Sequence, residues 1–235
     1  MVNGKDYYFQ FSPQGKTKDY GDKNIMVKAI IFDFWGTLVE NGVWSPTKQV
    51  KDILKIDVPF SEYIVRMEKA MMTRNFNSLK EAFENVCHEF NLPCTEDKVE
   101  QLIGMWNKSW MLAKPYEEVK EELEKLQKEY KLILISNTDC FSINQVLEKF
   151  QLRPLFERIF FSYELGKIKT EEKFLQEVLK KTKLKVEDCI MVGDSILSDM
   201  EAAKNAGIKG VLIDRKEQQH FHPKIRNLKE LASIL

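Results

Sequence analysis

Short apolar runs separated by longer amphipathic stretches recur along this chain. Ala29-Ile30-Ile31-Phe32 is the first. It is too short for a core helix and holds no polar residue, which is the pattern of a strand buried on both faces. Leu132–Ile135, Ile159–Phe161, Cys189–Val192 and Val211–Ile213 repeat it. The stretches between these later runs follow the helical period instead. Helices are expected over Pro115–Lys131, with Pro in the first turn, then after Thr138 to Phe150, over Thr170–Lys181, after Asp194 to Ala206, and over Lys224–Leu235. Strands alternating with helices imply right-handed crossovers. The expected fold is therefore α/β: a Rossmann-like parallel sheet with helices on both faces.

The interval between Leu38 and Pro115 breaks this rhythm. It has no strand-like run and reads as four helices. Ser45-Pro46 opens the first, to Leu54. Pro59 opens a second through Tyr63, Ile64, Met67 and Met71. Ser78 caps a third, with Leu79, Phe83 and Val86 on one face. Thr95 opens a fourth through Leu102, Met105 and Trp106 to Met111. Trp106 and Trp110 lie four apart on one face, and a Met and Trp stripe of this kind is packing. The expected organisation is an inserted helical unit, residues 43–112, within a core made of residues 26–42 and 113–235. Residues 1–25 show neither period, and Gly4, Pro13, Gly15 and Gly21 interrupt them. They read as a dispensable N-terminal extension, or as an arm whose aromatics pack on a partner.

Composition narrows the partners. Lys and Arg number 36 and Asp and Glu 36, for a formal net charge of +0, so no basic excess recommends nucleic acid or an anionic membrane. No apolar run approaches the roughly 18 residues that span a bilayer. Cys87, Cys94, Cys140 and Cys189 form no CxxC and no metal-ligand spacing. Reduced thiols in a cytoplasmic protein are expected.

The chemistry stands at the strand ends. Asp33 follows the first apolar run, Ser136 the second, and Asp194 follows Cys189–Gly193. Parallel strands bring such residues to one edge of the sheet, where open α/β sheets bind ligands. Four segments in order are Asp33-Phe-Trp-Gly-Thr37, Ile135-Ser136-Asn137-Thr138, Ser162-Tyr-Glu-Leu-Gly-Lys-Ile-Lys169 and Gly193-Asp194-Ser-Ile-Leu-Ser-Asp199. They resemble the four motifs of the haloacid dehalogenase-like (HAD) hydrolases. The helical excursion resembles that family's substrate-selecting C1 cap. Thr170 stands where the third motif usually has Pro.

The resemblance implies roles. Asp33 would be the nucleophile, forming a covalent intermediate that water hydrolyses. Ser136, Gly36, Thr37, Asn137 and the N–H groups of the next helix start would surround the phosphoryl oxygens. Lys169 would supply a fixed positive charge. Mg²⁺ would be held by Asp33, the backbone carbonyl of Trp35 and Asp194, with Asp199 behind them. The implied substrate is a small phosphorylated molecule. Trp35 departs from the pattern, because phosphatases of this family usually carry a second Asp there as acid and base. Indole donates one hydrogen bond, accepts none and does not titrate. General acid–base help worth about 10²–10⁴ in rate is therefore missing at this position. The reading is a Mg²⁺-dependent phosphohydrolase, suited to a good leaving group such as an acyl phosphate. The alternatives are a metal-independent 2-haloacid dehalogenase, a phosphonatase using a cap lysine such as Lys48, Lys51 or Lys69, and a weakly active phosphate-binding protein. An aromatic at position 35 favours the dehalogenase; Asp194 opposes it.

Overall fold

Every side chain of the first strand, β1 (Ala29–Phe32), is buried. Ile30 and Phe32 enter one apolar cluster while Ala29 and Ile31 enter another, on opposite faces of the sheet. Alternation across a strand makes this division, and the unbroken apolar run is what permits burial on both sides. The structure, a computed structural model, describes residues 27–235. The expected N-terminal extension lies outside them.

In chain order the elements are β1, β2 (Val39–Glu40), α1 (Pro46–Leu54), α2 (Phe60–Met72), α3 (Leu79–Glu89), α4 (Glu96–Met111), β3 (Lys114–Pro115), α5 (Val119–Leu126), β4 (Lys131–Ser136), α6 (Ile143–Lys149), β5 (Arg158–Phe161), α7 (Ser162–Leu165), α8 (Glu172–Thr182), β6 (Cys189–Gly193), α9 (Glu201–Ala206), β7 (Lys209–Ile213) and β8 (Lys224–Ile225). Six strands form one parallel sheet in the order β5-β4-β1-β6-β7-β8. The chain grows from β1 to β4 and β5 on one side, then returns to β6 on the other. That reversal makes the carboxyl end of β1 the switch point at which a ligand crevice opens. The α/β, Rossmann-like expectation is met.

Several boundaries differ from expectation. The segment over Lys224–Leu235 is not one helix. Lys224-Ile225 pairs with Leu212-Ile213 as the sheet's last strand, and a 3₁₀ turn over Leu228–Ser233 follows. Ile225, Leu228 and Leu231 are buried against the sheet, so tertiary burial overrides the helical pattern. The Pro115 helix starts later, at Val119, because Pro115 pairs with Val39 in a two-stranded antiparallel ladder. After Gly193 the chain takes one π-helical turn, Ile196–Met200, before α9.

Helices α1 to α4 close on a cluster of their own that includes Tyr63, Met67, Met71, Phe83, Leu102 and Trp106. Burying such side chains stabilises this layer by about 1.5–3 kcal/mol each. Ser78 caps α3 by accepting the Glu81 N–H at 3.2 Å. Trp106 packs edge-on against Phe83 at 5.8 Å between ring centroids. Among the described residues, no helix is long and apolar enough to cross a membrane.

Candidate active site

Asp33 comes one residue after β1, and its N–H donates to the Val192 carbonyl of β6 at 2.9 Å. The sheet thereby fixes its backbone. Its side chain is fixed twice. Thr37 Oγ1 donates to Oδ2 at 3.0 Å, and Lys169 Nζ donates to Oδ1 at 2.6 Å. Lys169, in the loop ahead of α8, also donates to Asp199 Oδ1 at 2.5 Å. The other oxygen of Asp199 accepts the Ser195 N–H at 3.0 Å. Two glycines allow this crowding. A Cβ at Gly193 would lie 2.3 Å from Asp199 Cγ, and one at Gly36 would lie 2.1 Å from Asp194 Oδ2. Gly36 also has φ +83°, a conformation that L side chains rarely adopt.

Carboxylates outnumber cations here. Burial lifts the Asp33 carboxyl to about 6, Lys169 pulling it down and Asp199 pushing it up. Burial raises Asp194 well above the carboxylate range, and Asp33 and Asp199 add to the rise. Burial works against the Lys169 ammonium, yet Asp199 and Asp33 hold its pKa above the ordinary value. Oxygens of Asp33, Asp194 and Asp199 all lie within 4.8 Å of one another. Three carboxylates facing one ammonium leave an excess of negative charge on hard oxygen donors. This donor set fits a divalent cation such as Mg²⁺.

The cleft above this cluster measures about 1170 Å³, and its lining includes Asp33, Trp35, Gly36, Asn137, Lys169, Asp194 and Asp199. Most of the expected site residues therefore converge, with Thr37 just beneath. Ser136 is the exception. It is fully buried, its hydroxyl lies 3.4 Å from the Asn137 carbonyl, and the lining begins one residue later. Three N–H groups ahead of the next helix start are committed within the chain. Helix α6 begins only at Ile143, and the N–H groups of Phe141 and Ser142 are taken by Asp139 at 2.8 and 2.9 Å. The Thr138 N–H goes to Ser162 Oγ at 3.0 Å. Asn137 bridges two layers: its Oδ1 accepts the Lys169 N–H at 2.9 Å, and its Nδ2 donates to Glu68 of α2 at 2.7 Å. Trp35 turns its ring N–H to Thr138 Oγ1 at 3.3 Å and stands edge-on to Phe34. Of the helical-layer lysines, Lys69 faces Glu171 at 3.4 Å, Lys51 donates to the Ile56 carbonyl, and Lys48 lies over the Trp44 and Phe60 rings.

Several contacts around the site carry no signal in the sequence. Glu68 is one charge among many on α2. The Trp106 N–H reaches Asp139 Oδ2 at 3.0 Å, joining α4 to the loop after β4. Gln219 donates to the Asp194 carbonyl at 2.9 Å, and Arg215 donates to the Thr37 carbonyl at 2.7 Å. A second cleft, whose lining includes Lys28, Glu129, Lys131, Glu157 and Leu235, lies toward the opposite strand ends.

The sequence model of the haloacid dehalogenase-like hydrolases matches residues 30–213. The glyceraldehyde 3-phosphate phosphatase of Methanocaldococcus jannaschii is 26% identical over 223 residues, covering 89% of this chain and 97% of that protein. The N-acylneuraminate-9-phosphatase of Rattus norvegicus is 28% identical over 96 residues, 41% of this chain and 39% of its own. Among solved structures, a HAD phosphatase from Thermococcus onnurineus superposes with a TM-score of 0.59 at 24% identity, over 88% of this chain and 97% of its own. A 2-haloacid dehalogenase from Pseudomonas syringae pv. Tomato DC3000 superposes with a TM-score of 0.61 at 17% identity, over 89% and 98%. These superpositions speak to the fold.

Proposed function

The chain belongs to the haloacid dehalogenase-like hydrolase family, and from that membership we propose that it is a Mg²⁺-dependent phosphatase working through an aspartyl phosphate on Asp33. The observation that carries the reading is the close group of buried Asp33 and Asp199 and half-buried Asp194, with the single ammonium of Lys169 between the first two. A site with this charge excess suits phosphoryl transfer, which asks for positioning and charge neutralisation more than for covalent machinery. Displacement of halide from a haloacid gains nothing from such a carboxylate excess.

In this reading Asp33 attacks phosphorus with one carboxylate oxygen while Lys169 and Thr37 hold its orientation. Water then attacks the aspartyl phosphate and returns the free carboxylate. Asp33, Asp194 and the Trp35 carbonyl would hold Mg²⁺, with Asp199 behind them. The ion would neutralise the phosphoryl oxygens. Ser136, Gly36 and Asn137 remain candidates for phosphate contacts; Asn137 would have to release Glu68 to donate to a phosphoryl oxygen. The helical layer, residues 43–112, is taken as the unit that selects substrate over a core of residues 26–42 and 113–235. The phosphatase names of the full-length relatives point to a small phosphorylated substrate, and glyceraldehyde 3-phosphate is the first to test. Four cysteines without a disulfide suit the cytoplasm.

The test is a panel of phosphomonoesters, acyl phosphates and 2-haloacids with Mg²⁺ and with chelator. Phosphate release that disappears with chelator is expected. Trp35 favours a second reading as a dehalogenase. Full-rate halide release from 2-haloacids by the chelated protein would establish that reading instead.

A further inference from the structure

The position that would hold an acid–base carboxyl in a phosphatase of this kind is Trp35, and its ring N–H is already committed to Thr138. A good leaving group escapes without a proton, but an alkyl alkoxide does not. If the substrate is an alkyl phosphate, another group must serve.

Outside the cluster around Lys169, four carboxyls line the cleft: Glu40, Glu68, Asp139 and Asp214. Asp139 is fully used, accepting from Phe141, Ser142 (twice) and Trp106. Asp214 accepts the N–H groups of Gln218 and Gln219 and pairs with Lys224 at 3.1 Å. Glu40, on β2, is exposed to solvent, where nothing holds its carboxyl in one place. Glu68 remains. It accepts a single bond, from Asn137 Nδ2 at 2.7 Å, which leaves acceptor capacity free. Asn137 in turn accepts the N–H of Lys169, whose ammonium touches the nucleophile, so two residues separate Glu68 from Asp33.

We propose that Glu68 of α2, entering from the helical layer, is the acid–base group that position 35 lacks. The inference rests on the phosphatase reading above. In the first step the bond from phosphorus to the leaving oxygen breaks as Asp33 bonds to phosphorus, and the Glu68 carboxyl gives its proton to the departing alkoxide. In the second step Glu68, now a carboxylate, takes a proton from the water that attacks phosphorus, releasing phosphate and the Asp33 carboxylate. Both electron pairs stay on oxygen, and Glu68 ends as it began.

The surroundings suit a group that must be both acid and base. Burial lifts the Glu68 carboxyl to about 7, with Lys169 and the Asn137 bond pulling it down and Asp199 and Asp33 pushing it up. On its own helix, Tyr63 lies near, and Lys69 is turned toward Glu171.

Glu68→Gln is the discriminating substitution. Its amide oxygen still accepts from Asn137, so the tie between layers survives while the proton is lost. With Mg²⁺ present, kcat for glyceraldehyde 3-phosphate should fall about 10²–10³-fold at a KM within about threefold of wild type. The alkaline limb of the kcat/KM profile should flatten. With p-nitrophenyl phosphate, a burst of nitrophenolate followed by a slow steady state should appear, because the first step needs no acid and the second still needs a base. Wild-type kcat with an unchanged pH profile overturns the proposal. So does a raised KM at unchanged kcat, which marks a substrate contact. If Glu68→Gln fails to fold, Glu68→Asp decides: a retained alkaline limb at reduced kcat supports the proposal, and a lost limb overturns it. Absence of phosphate release from either substrate by the wild type with Mg²⁺ is a different result and overturns the phosphatase reading itself.

Discussion

Asp33→Asn changes one atom of the proposed nucleophile and leaves the shape of the side chain intact. Turnover should fall below a tenth of wild type while the thermal midpoint stays near its starting value, as steady-state assays and a melting curve would show. Lys169→Ala should behave differently, because it leaves Asp33 and Asp199 buried with no cation between them. A loss of about 3–5 kcal/mol in denaturant unfolding is expected, together with the loss of activity. Trp35→Asp placed in a Glu68→Gln background should recover at least about tenfold of the lost kcat toward an alkyl phosphate, since an acid then stands beside the nucleophile. Asp33 and Asp194 were legible in the sequence because each follows an apolar strand, whereas Lys169 and Asp199 were legible only through the resemblance to the family's third and fourth motifs. Glu68 was not, since only the approach of α2 to Asn137 sets it apart from its helix's other charges. Ser136 was legible as a strand-end hydroxyl, but which way it faces depends on the loop beyond it.

Gly36 and the π-helical turn at Ile196–Met200 show how elements position the site. Gly36→Ala would force a side chain into a left-handed backbone and into the Asp194 carboxylate. A stability loss of at least about 1 kcal/mol is expected. The Mg²⁺ concentration needed for half-maximal activity should rise at least about tenfold, which a metal titration would measure. Helices with a cap or a leading Pro, such as α1 and α3, were readable to within a residue or two. The β2–β3 and β7–β8 pairings were not, because a strand of two residues has no period to read. The π turn likewise leaves no mark in a pattern of apolar positions, although it presents Asp199 to Lys169.

Across the whole molecule, the raised carboxyls make stability depend on pH and, in the phosphatase reading, on metal as well. Asp33 and Glu68 hold protons up to about 6 and about 7 in the folded chain but release them from 3.8 and 4.5 when unfolded. Between those values the native state binds more protons, so metal-free protein loses stability as pH rises through this window. Melting curves from pH 4 to pH 7.5 in chelator should fall, and Mg²⁺ at 100 times its Kd should add about 2.7 kcal/mol. A second whole-molecule property follows from β2 and β3. Val39 lies opposite Pro115 and Glu40 opposite Lys114 in a ladder separate from the main sheet, so the chain enters and leaves the helical layer at neighbouring positions. In genetic terms residues 41–113 are a cassette with adjoining ends. Replacing them with a two-residue Asn-Gly turn should leave the sheet's register untouched. Cooperative unfolding and Mg²⁺-dependent stabilisation should persist in the shortened protein, while turnover of alkyl phosphates falls with the loss of Glu68 and discrimination among activated phosphate esters is lost. A lineage could thus exchange its substrate by splicing one segment that brings its own acid–base group, without touching the strand that leads into Asp33.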